Sequence, residues 1–235
     1  MGSTASDRSL HGIGALASLG PVARDDLSRS AGWHTYTRGQ LVIDQHDLST
    51  DVFFIATGSV RATIYSSTGK EVTFRDMSAG DMFGELAAID GSSRSAAIIA
   101  LTDCVVASLP ADRFWKLLHE NPDFAAATLK QLAKMVRTLS ERVFEVSALN
   151  VRNRVHIEFL RLARAHPLDE NSAAISPAPT HVEIANRIGT HREAVTREIG
   201  ELTKSGLIKR QDNTFFVTDV ARLARMVEKV LGQAI

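Results

Sequence analysis

The sequence predicts an α+β chain: a small β-rich domain, then one long helix, then a helical domain. Three observations carry this. Between Gly39 and Pro110, short runs rich in Val, Ile, Phe and Thr alternate with turn signals, and Gly58, Gly69, Gly80 and Gly91 recur every eleven residues. Such evenly spaced strands and turns suggest a small barrel or sandwich. Further on, Leu129, Leu132, Val136, Leu139, Val143, Val146 and Asn150 alternate three- and four-residue steps, the seam of a coiled coil. Finally, residues 180–210 carry two helical patterns about a tight turn.

A chain of 235 residues suits two modest domains, and its single cysteine, Cys104, excludes a disulfide scaffold or a cysteine-rich cluster within one chain. Cys104 reads as buried filler in a strand. No apolar run approaches the roughly 20 residues needed to cross a bilayer, and MGSTASDRSL lacks a signal-peptide core. A cytoplasmic protein with no membrane partner is expected. Net charge is zero, but residues 151–235 hold 13 Lys and Arg against 10 Asp and Glu, so the C-terminal third is mildly basic.

Taken in order, residues before Gly39 are expected to supply one or two flanking helices. The strands follow in QLVI, DVFFIATGSVRATIYSS, TGKEVTFRDM, SAGDMFGE and SAAIIALTDCVVASLP. Past Pro110 the composition turns to Ala, Leu, Lys, Glu and Arg, with Asn121-Pro122-Asp123 as a break and helix start. The apolar seam would be covered either by the chain's own β domain or by a second copy; its three heptads favour a parallel homodimer through residues 129–150. A helix from Val151 to His166 stops at Pro167, and PLDENSAAISPAPT reads as a loop. The expected domains are 1–125, 126–150 and 151–235.

Within GELAAIDGSSRSA, residues 84–96, a helical turn from Glu85 to Asp90 would leave unpaired N–H groups behind Gly84, where a ligand can approach the backbone. Arg94 offers a planar fork suited to phosphate, and Ser95 a hydroxyl donor. Glu85 would repel phosphate and better accepts from a sugar hydroxyl. A cyclic mononucleotide fits that set. The alternative is an Arg94–Glu85 salt bridge bracing the turn, and chemistry alone leaves both open.

In the C-terminal pattern, Thr180 and Glu183 make a capping box, Gly189 ends the first helix, and Thr190 with Glu193 is expected to cap the second. Ile184, Ala185, Ile188, Val195, Ile199 and Leu202 form the shared inner face, which leaves His191, Arg192, Glu193, Thr196 and Arg197 outward. Arginine can bond guanine and glutamate can accept from cytosine; a wet Glu193–Arg197 pair is the other reading. Residues from Asp219 onward read as a short amphipathic helix used for packing.

Enzyme readings fail. Ser67-Thr68-Gly69-Lys70 has an S-x-x-K spacing, but Ile64 and Glu71 stand where a Walker loop needs Gly and Ser or Thr, so a turn between strands is expected. The eight histidines lack metal-ligand spacing, and His166 reads as a helix-end residue. No nucleophile, base and orienter assemble.

SAGDMFGELAAIDGSSRSAAIIA closely resembles the phosphate-binding cassette of the cyclic-nucleotide-binding domain, and GSVRATIYSSTGKEV is similar to the same β-roll. From about Ala15 onward the chain resembles the catabolite activator (cyclic AMP receptor) and Fnr family of bacterial transcription regulators. The resemblance implies a jelly-roll-like β-roll, a dimerisation helix and a winged helix-turn-helix. It implies ligand contacts at Phe83, Gly84, Glu85, Leu86, Arg94, Ser95 and Ala96, with Thr138 and Ser140 near the base, and no metal. HREAVTR resembles the family's recognition helix, which implies DNA contacts at Thr180, Thr190, His191, Arg192, Glu193, Thr196 and Arg197. SGLIKRQDNTFFVTD is similar to its hairpin wing, with Lys209 and Arg210 near phosphates.

Three positions depart from the family pattern. His46 replaces a turn glycine and points to a different turn conformation, since positive φ is costly for most side chains. Leu139 replaces a base-binding hydroxyl, leaving Ser140 to hydrogen-bond a base, its own or one held in the partner subunit, with Thr138 or Arg137 as substitutes; Ser95 is typical of the cyclic AMP receptors, so cyclic AMP ranks ahead of cyclic GMP. His191 replaces a serine. A kinase or channel sensor would need an effector domain of catalytic or membrane type; for a family member sensing haem, oxygen, redox state or nothing, the lone cysteine argues against a cluster and the intact cassette against an unliganded pocket. By the resemblance the partners are duplex DNA with a palindrome of TGTGA-like half-sites, a second copy, and RNA polymerase, with Asn150 as hinge.

Overall fold

The computed structural model describes residues 8–69 and 71–232. The segment MGSTASD, on which the signal-peptide expectation largely rests, and Lys70 lie outside them. The described residues divide into two compact units that meet between Val136 and Arg137.

In the first unit a short 3-10 turn, Gly14–Leu16, precedes α1 (Pro21–Ser30). The strands are β1 (Gly32–Tyr36), β2 (Leu41–Ile43), β3 (Val52–Thr57), β4 (Ser59–Tyr65), β5 (Glu71–Ser78), β6 (Met82–Phe83), β7 (Ala97–Ala100) and β8 (Cys104–Leu109). A single helix, α2 (Glu85–Asp90), interrupts them between β6 and β7. They form two antiparallel four-stranded sheets, ordered β1-β8-β3-β6 and β2-β7-β4-β5. β1 corrects the expectation of helices alone before Gly39: Trp33, Thr35 and their neighbours pair with β8 over five positions, and this pairing outweighs the absence of an apolar run.

β3 shows why this region reads as unbroken hydrophobic sequence. Successive strand side chains point to opposite faces. Phe53 and Ile55 enter the core between the sheets, with Val60, Met77, Phe83 and Val106. Val52 and Phe54 enter a second core, with Leu10, Leu16, Met82, Leu109, Phe114 and Phe124. Both faces are covered, so alternation disappears. Phe114 belongs to α3 (Ala111–Glu120), and Phe124 to α4 (Pro122–Ala148), which cap the second core. Cys104 is buried in β8 as expected.

The second unit continues from the end of α4 into α5 (Val151–Ala165), β9 (Ala173–Ile175), α6 (His181–Ile188), α7 (Arg192–Lys204), β10 (Ile208–Gln211), β11 (Thr214–Val217) and α8 (Val220–Leu231). β9 lies inside the stretch read as loop. Ala173 and Ile175 are buried against β11, so the wing is a three-stranded sheet ordered β10-β11-β9. All six inner-face residues of α6 and α7 sit in one core with Phe159, Phe215, Leu223 and Val227. His166 caps the end of α5 and donates from Nδ1 to the Leu162 carbonyl at 2.9 Å.

Two local expectations are corrected. α7 is not capped by Thr190: Gly189 turns left-handed (φ 65°), Thr190 N–H returns to Ala185, and the N-cap falls on His191, which makes no side-chain cap bond. His46 does not change its turn. It adopts the left-handed backbone itself, at φ 72°, a region in which histidine is enriched among non-glycine residues.

Candidate effector pocket and DNA-binding face

The cassette begins where β6 ends. Phe83 pairs with Phe53 across the sheet and stacks on its ring, with centroids 5.1 Å apart, which fixes the chain direction entering Gly84. Gly84 has φ 84°, and a Cβ there would lie 2.8 Å from both Arg94 Nη1 and the Asp51 carbonyl oxygen. Glycine is therefore required both by conformation and by the close approach of Arg94. The helical turn Glu85–Asp90 follows, as the spacing predicts.

Arg94 is 3 % exposed. Its Nη1 donates to the Gly84 carbonyl at 2.9 Å, its Nη2 to the Asp51 carbonyl at 2.8 Å, and its Nε to Ser49 Oγ at 3.1 Å. The guanidinium also lies over the Phe53 ring, 5.7 Å from its centre. Its backbone is held on both sides: Arg94 N–H donates to Asp47, and His46 N–H donates to Arg94. These direct acceptors are uncharged, and three of a guanidinium's five N–H groups are committed to them. Burial draws the Arg94 pKa down, opposed by Asp51, Asp47 and Glu85, and the side chain remains a cation.

Glu85 is equally buried, at 3 % exposure. Burial raises its carboxyl above the usual range; its own backbone N–H, Arg75, Gln131 and Arg94 pull the other way, with Arg94 the weakest. The bracing salt bridge is thus not what holds this turn. Ser95 is exposed, Ala96 is half-buried and Leu86 is exposed, all at the rim of the segment. Thr138, Leu139 and Ser140 lie exposed on the part of α4 that belongs to the second unit. Ser49 and Asp51 escaped sequence reasoning because they lie more than forty residues before Arg94, in the turn between β2 and β3, and nothing local marks them.

In the second unit, Thr180 and Glu183 form the complete capping box: Thr180 N–H and Oγ1 donate to Glu183 Oε2, and Glu183 N–H donates to Thr180 Oγ1. His191, Arg192, Glu193, Thr196 and Arg197 are all exposed on α7, while Thr190 is half-buried in the turn. The opposite side of α7 is anchored by buried Glu198, 2.6 Å from His156 on α5, with Arg152 at 3.4 Å. Burial lowers the His156 pKa against the opposing pull of Glu198.

The wing strand β10 splits its basic residues between two faces. Lys209 lines a cleft of about 330 Å³ with Ser172, Gln211, Phe216 and Thr218. Arg210 shares a cleft of about 390 Å³ with Thr180, His181, Val182 and Arg192. His181 was not singled out from the sequence; its partner Thr196 lies fifteen residues on, across the turn.

Where α4 gives way to α5, Asn150 is the N-cap and accepts from Asn153 N–H at 3.0 Å. A charge cluster surrounds this junction. Glu158, its side chain 2 % exposed, lies 3.2 Å from Arg142 of α4, 3.4 Å from Arg187 of α6 and 3.8 Å from Arg161, which also pairs with Glu145.

Among the described residues no helix is long and apolar enough to cross a membrane, and no group of three or more His, Cys, Asp or Glu could hold a metal ion. Comparison with known proteins agrees with this layout. Residues 33–121 match the cyclic nucleotide-binding domain, and residues 153–226 match the Crp-like helix-turn-helix domain. The chain is 30 % identical over 185 residues to the cAMP-activated global transcriptional regulator CRP of Salmonella typhimurium, covering 78 % of this chain and 88 % of that protein. It is 24 % identical over 220 residues to the CRP-like cAMP-activated global transcriptional regulator of Mycobacterium tuberculosis, covering 93 % and 98 %. Its fold matches that of a CooA mutant from Carboxydothermus hydrogenoformans with a TM-score of 0.75 at 20 % identity, over 86 % of this chain and 90 % of the other.

Proposed function

The chain belongs to the CRP/FNR family of DNA-binding transcription regulators, which are not enzymes, and from that premise we propose that it is a homodimer switched by a cyclic mononucleotide. Cyclic AMP is the effector ranked first, cyclic GMP the alternative. The observation that carries the reading is Arg94: a buried cation whose direct acceptors are all uncharged. Asp51, Asp47 and Glu85 act on it without a direct hydrogen bond, and a buried charge without a directly paired counter-ion is costly. The cyclic phosphate supplies that counter-ion at the two remaining N–H groups, with Ser95 adding a hydroxyl. Glu85 then accepts from the ribose hydroxyl, and Phe83, Gly84, Leu86 and Ala96 shape the wall.

Cyclic AMP is favoured by Ser95 and by the two cAMP-activated relatives. Leu139 removes one base-binding hydroxyl, so base choice falls to Ser140 and Thr138. The working division is 1–125 for the effector domain, 126–150 for the dimerisation helix and 151–235 for the DNA-binding domain. Nucleotide binding shifts the population of α4 arrangements about Asn150, by no more than its differential affinity for the two states. The active arrangement sets two α7 helices about 34–36 Å apart on a palindrome of TGTGA-like half-sites. Arg192, Glu193 and Arg197 read bases, and Thr180, Thr190, His191, Thr196 and Lys209 position the helix. RNA polymerase is the further partner at promoters in the cytoplasm.

Calorimetry with cyclic AMP and cyclic GMP tests the pocket. Arg94→Ala should weaken nucleotide binding by about 30-fold or more, the scale for removing one partner of a buried charge pair. Unchanged affinity would refute the assignment.

A further inference from the structure

We propose that the cleft bounded by α6, α7 and β10 is a proton-linked clamp for one phosphodiester of duplex DNA, in which His181 takes up a proton as the phosphate enters. The inference rests on the DNA-binding reading above and adds a ligand group, a residue and a pH dependence to it.

The cleft, about 390 Å³, is lined by Thr180, His181, Val182, Arg192 and Arg210. Each bounding element contributes one basic group: His181 from α6, Arg192 from α7 and Arg210 from β10. Arg210 lies on the Phe215 ring, 5.4 Å from its centre, which limits its freedom at little entropic cost. The nearby acid on α6, Glu183, is engaged by Thr180 in the capping box. Arg210 and His181 thus face one open space beside Arg192, whose fork is left to the bases, with no acid among the lining residues, a set suited to an anion.

The tautomer of His181 decides how it takes part. Thr196 Oγ1 donates its only hydrogen to the Arg192 carbonyl at 2.9 Å, so it must accept from His181 Nδ1, 2.7 Å away. In the neutral ring Nδ1 then carries the hydrogen and Nε2 a lone pair. A phosphodiester oxygen only accepts, so neutral His181 cannot bond it through Nε2; a second proton makes Nε2 a donor. Without DNA, burial and the two cations Arg210 and Arg192 hold the His181 pKa below its ordinary value. A phosphate between His181 and Arg210 reverses the sign of that field. The bound pKa exceeds the free pKa, so affinity is lowest above the bound pKa and rises as pH falls toward the free pKa.

The test is anisotropy of a labelled 30-base-pair duplex carrying two TGTGA half-sites, with saturating cyclic AMP, at fixed salt from pH 8.5 to 6. Affinity of the native protein should rise as pH falls, by about ten-fold for each clamp whose pKa rises one unit on binding. His181→Gln should lose that rise and bind more weakly at pH 6. His181→Arg, charged throughout, should bind tightly at both ends of the range. His191→Gln, which removes the neighbouring exposed imidazole, should keep the rise. If His181→Gln follows the native pH profile, or the rise disappears in His191→Gln instead, the clamp is wrong while DNA binding stands. If no protein binds the duplex at any pH, with either nucleotide or none, the DNA-binding reading itself falls and the clamp with it.

Discussion

Arg94 and Glu85 show how a folded chain can hold two opposite charges nine residues apart and keep both available. Arg94 is fixed by three uncharged acceptors, and Glu85 is a carboxyl that burial keeps above the usual carboxylate range. The sign of the pH effect follows. A carboxyl whose folded-state pKa is raised contributes most to stability below its unfolded pKa, and that contribution is lost as pH rises through the folded pKa. Glu85→Gln, uncharged at every pH, should therefore raise the unfolding temperature of the ligand-free protein at pH 8, with the gain fading toward about pH 4. The same substitution should weaken nucleotide binding. Thermal melts across pH check the first half; a variant less stable than the native protein at pH 8 would contradict it. At this scale the sequence was legible where the chemistry is contiguous, from Gly84 to Ser95. It was silent on Ser49, Asp51 and His181, whose partners arrive only through packing or across a turn.

At the scale of elements, the junction of α4 and α5 is held by charge rather than by apolar packing alone. Glu158 sits among Arg142, Arg161 and Arg187, so one carboxylate ties three helices. Glu158→Ala leaves these guanidiniums without their shared partner and should destabilise the C-terminal unit by about 3 kcal/mol or more. Denaturant unfolding measures this; a change near zero would mean that solvent already screens the cluster. Periodicity revealed the helices on either side, because their buried residues repeat at helical spacing. It could not reveal the cluster, since Arg142, Glu158 and Arg187 lie at no fixed spacing. β1 and β9 were missed for a related reason: short strands are fixed by their partners β8 and β11 more than by their own composition. Thr190 was misplaced by one residue, as Gly189 and Thr190 both went into closing α6.

Across the whole molecule, the α4 seam stands out among the described residues as an exposed apolar stripe. Leu129 is 66 % exposed, Val136 62 % and Val143 66 %, where core residues of both units are near zero. A second copy covering this stripe buries several aliphatic side chains, each contributing about 1.5–3 kcal/mol when fully buried. Val143→Asp should therefore shift the protein to monomer in sedimentation; a dimer that persists unchanged would place the interface elsewhere. The succession of a β domain, a long helix and a helix-turn-helix region was legible in the sequence, since strand-turn spacing gives way to helical spacing after Pro110. The central claim is that the nucleotide pocket governs the DNA-binding face. Its most direct measurement is the affinity of the native protein and of Arg94→Ala for the palindromic duplex, with and without cyclic AMP. The account predicts that cyclic AMP tightens binding by the native protein and leaves Arg94→Ala unaffected; equal affinity for the native protein with cyclic AMP, with cyclic GMP and with neither would contradict it.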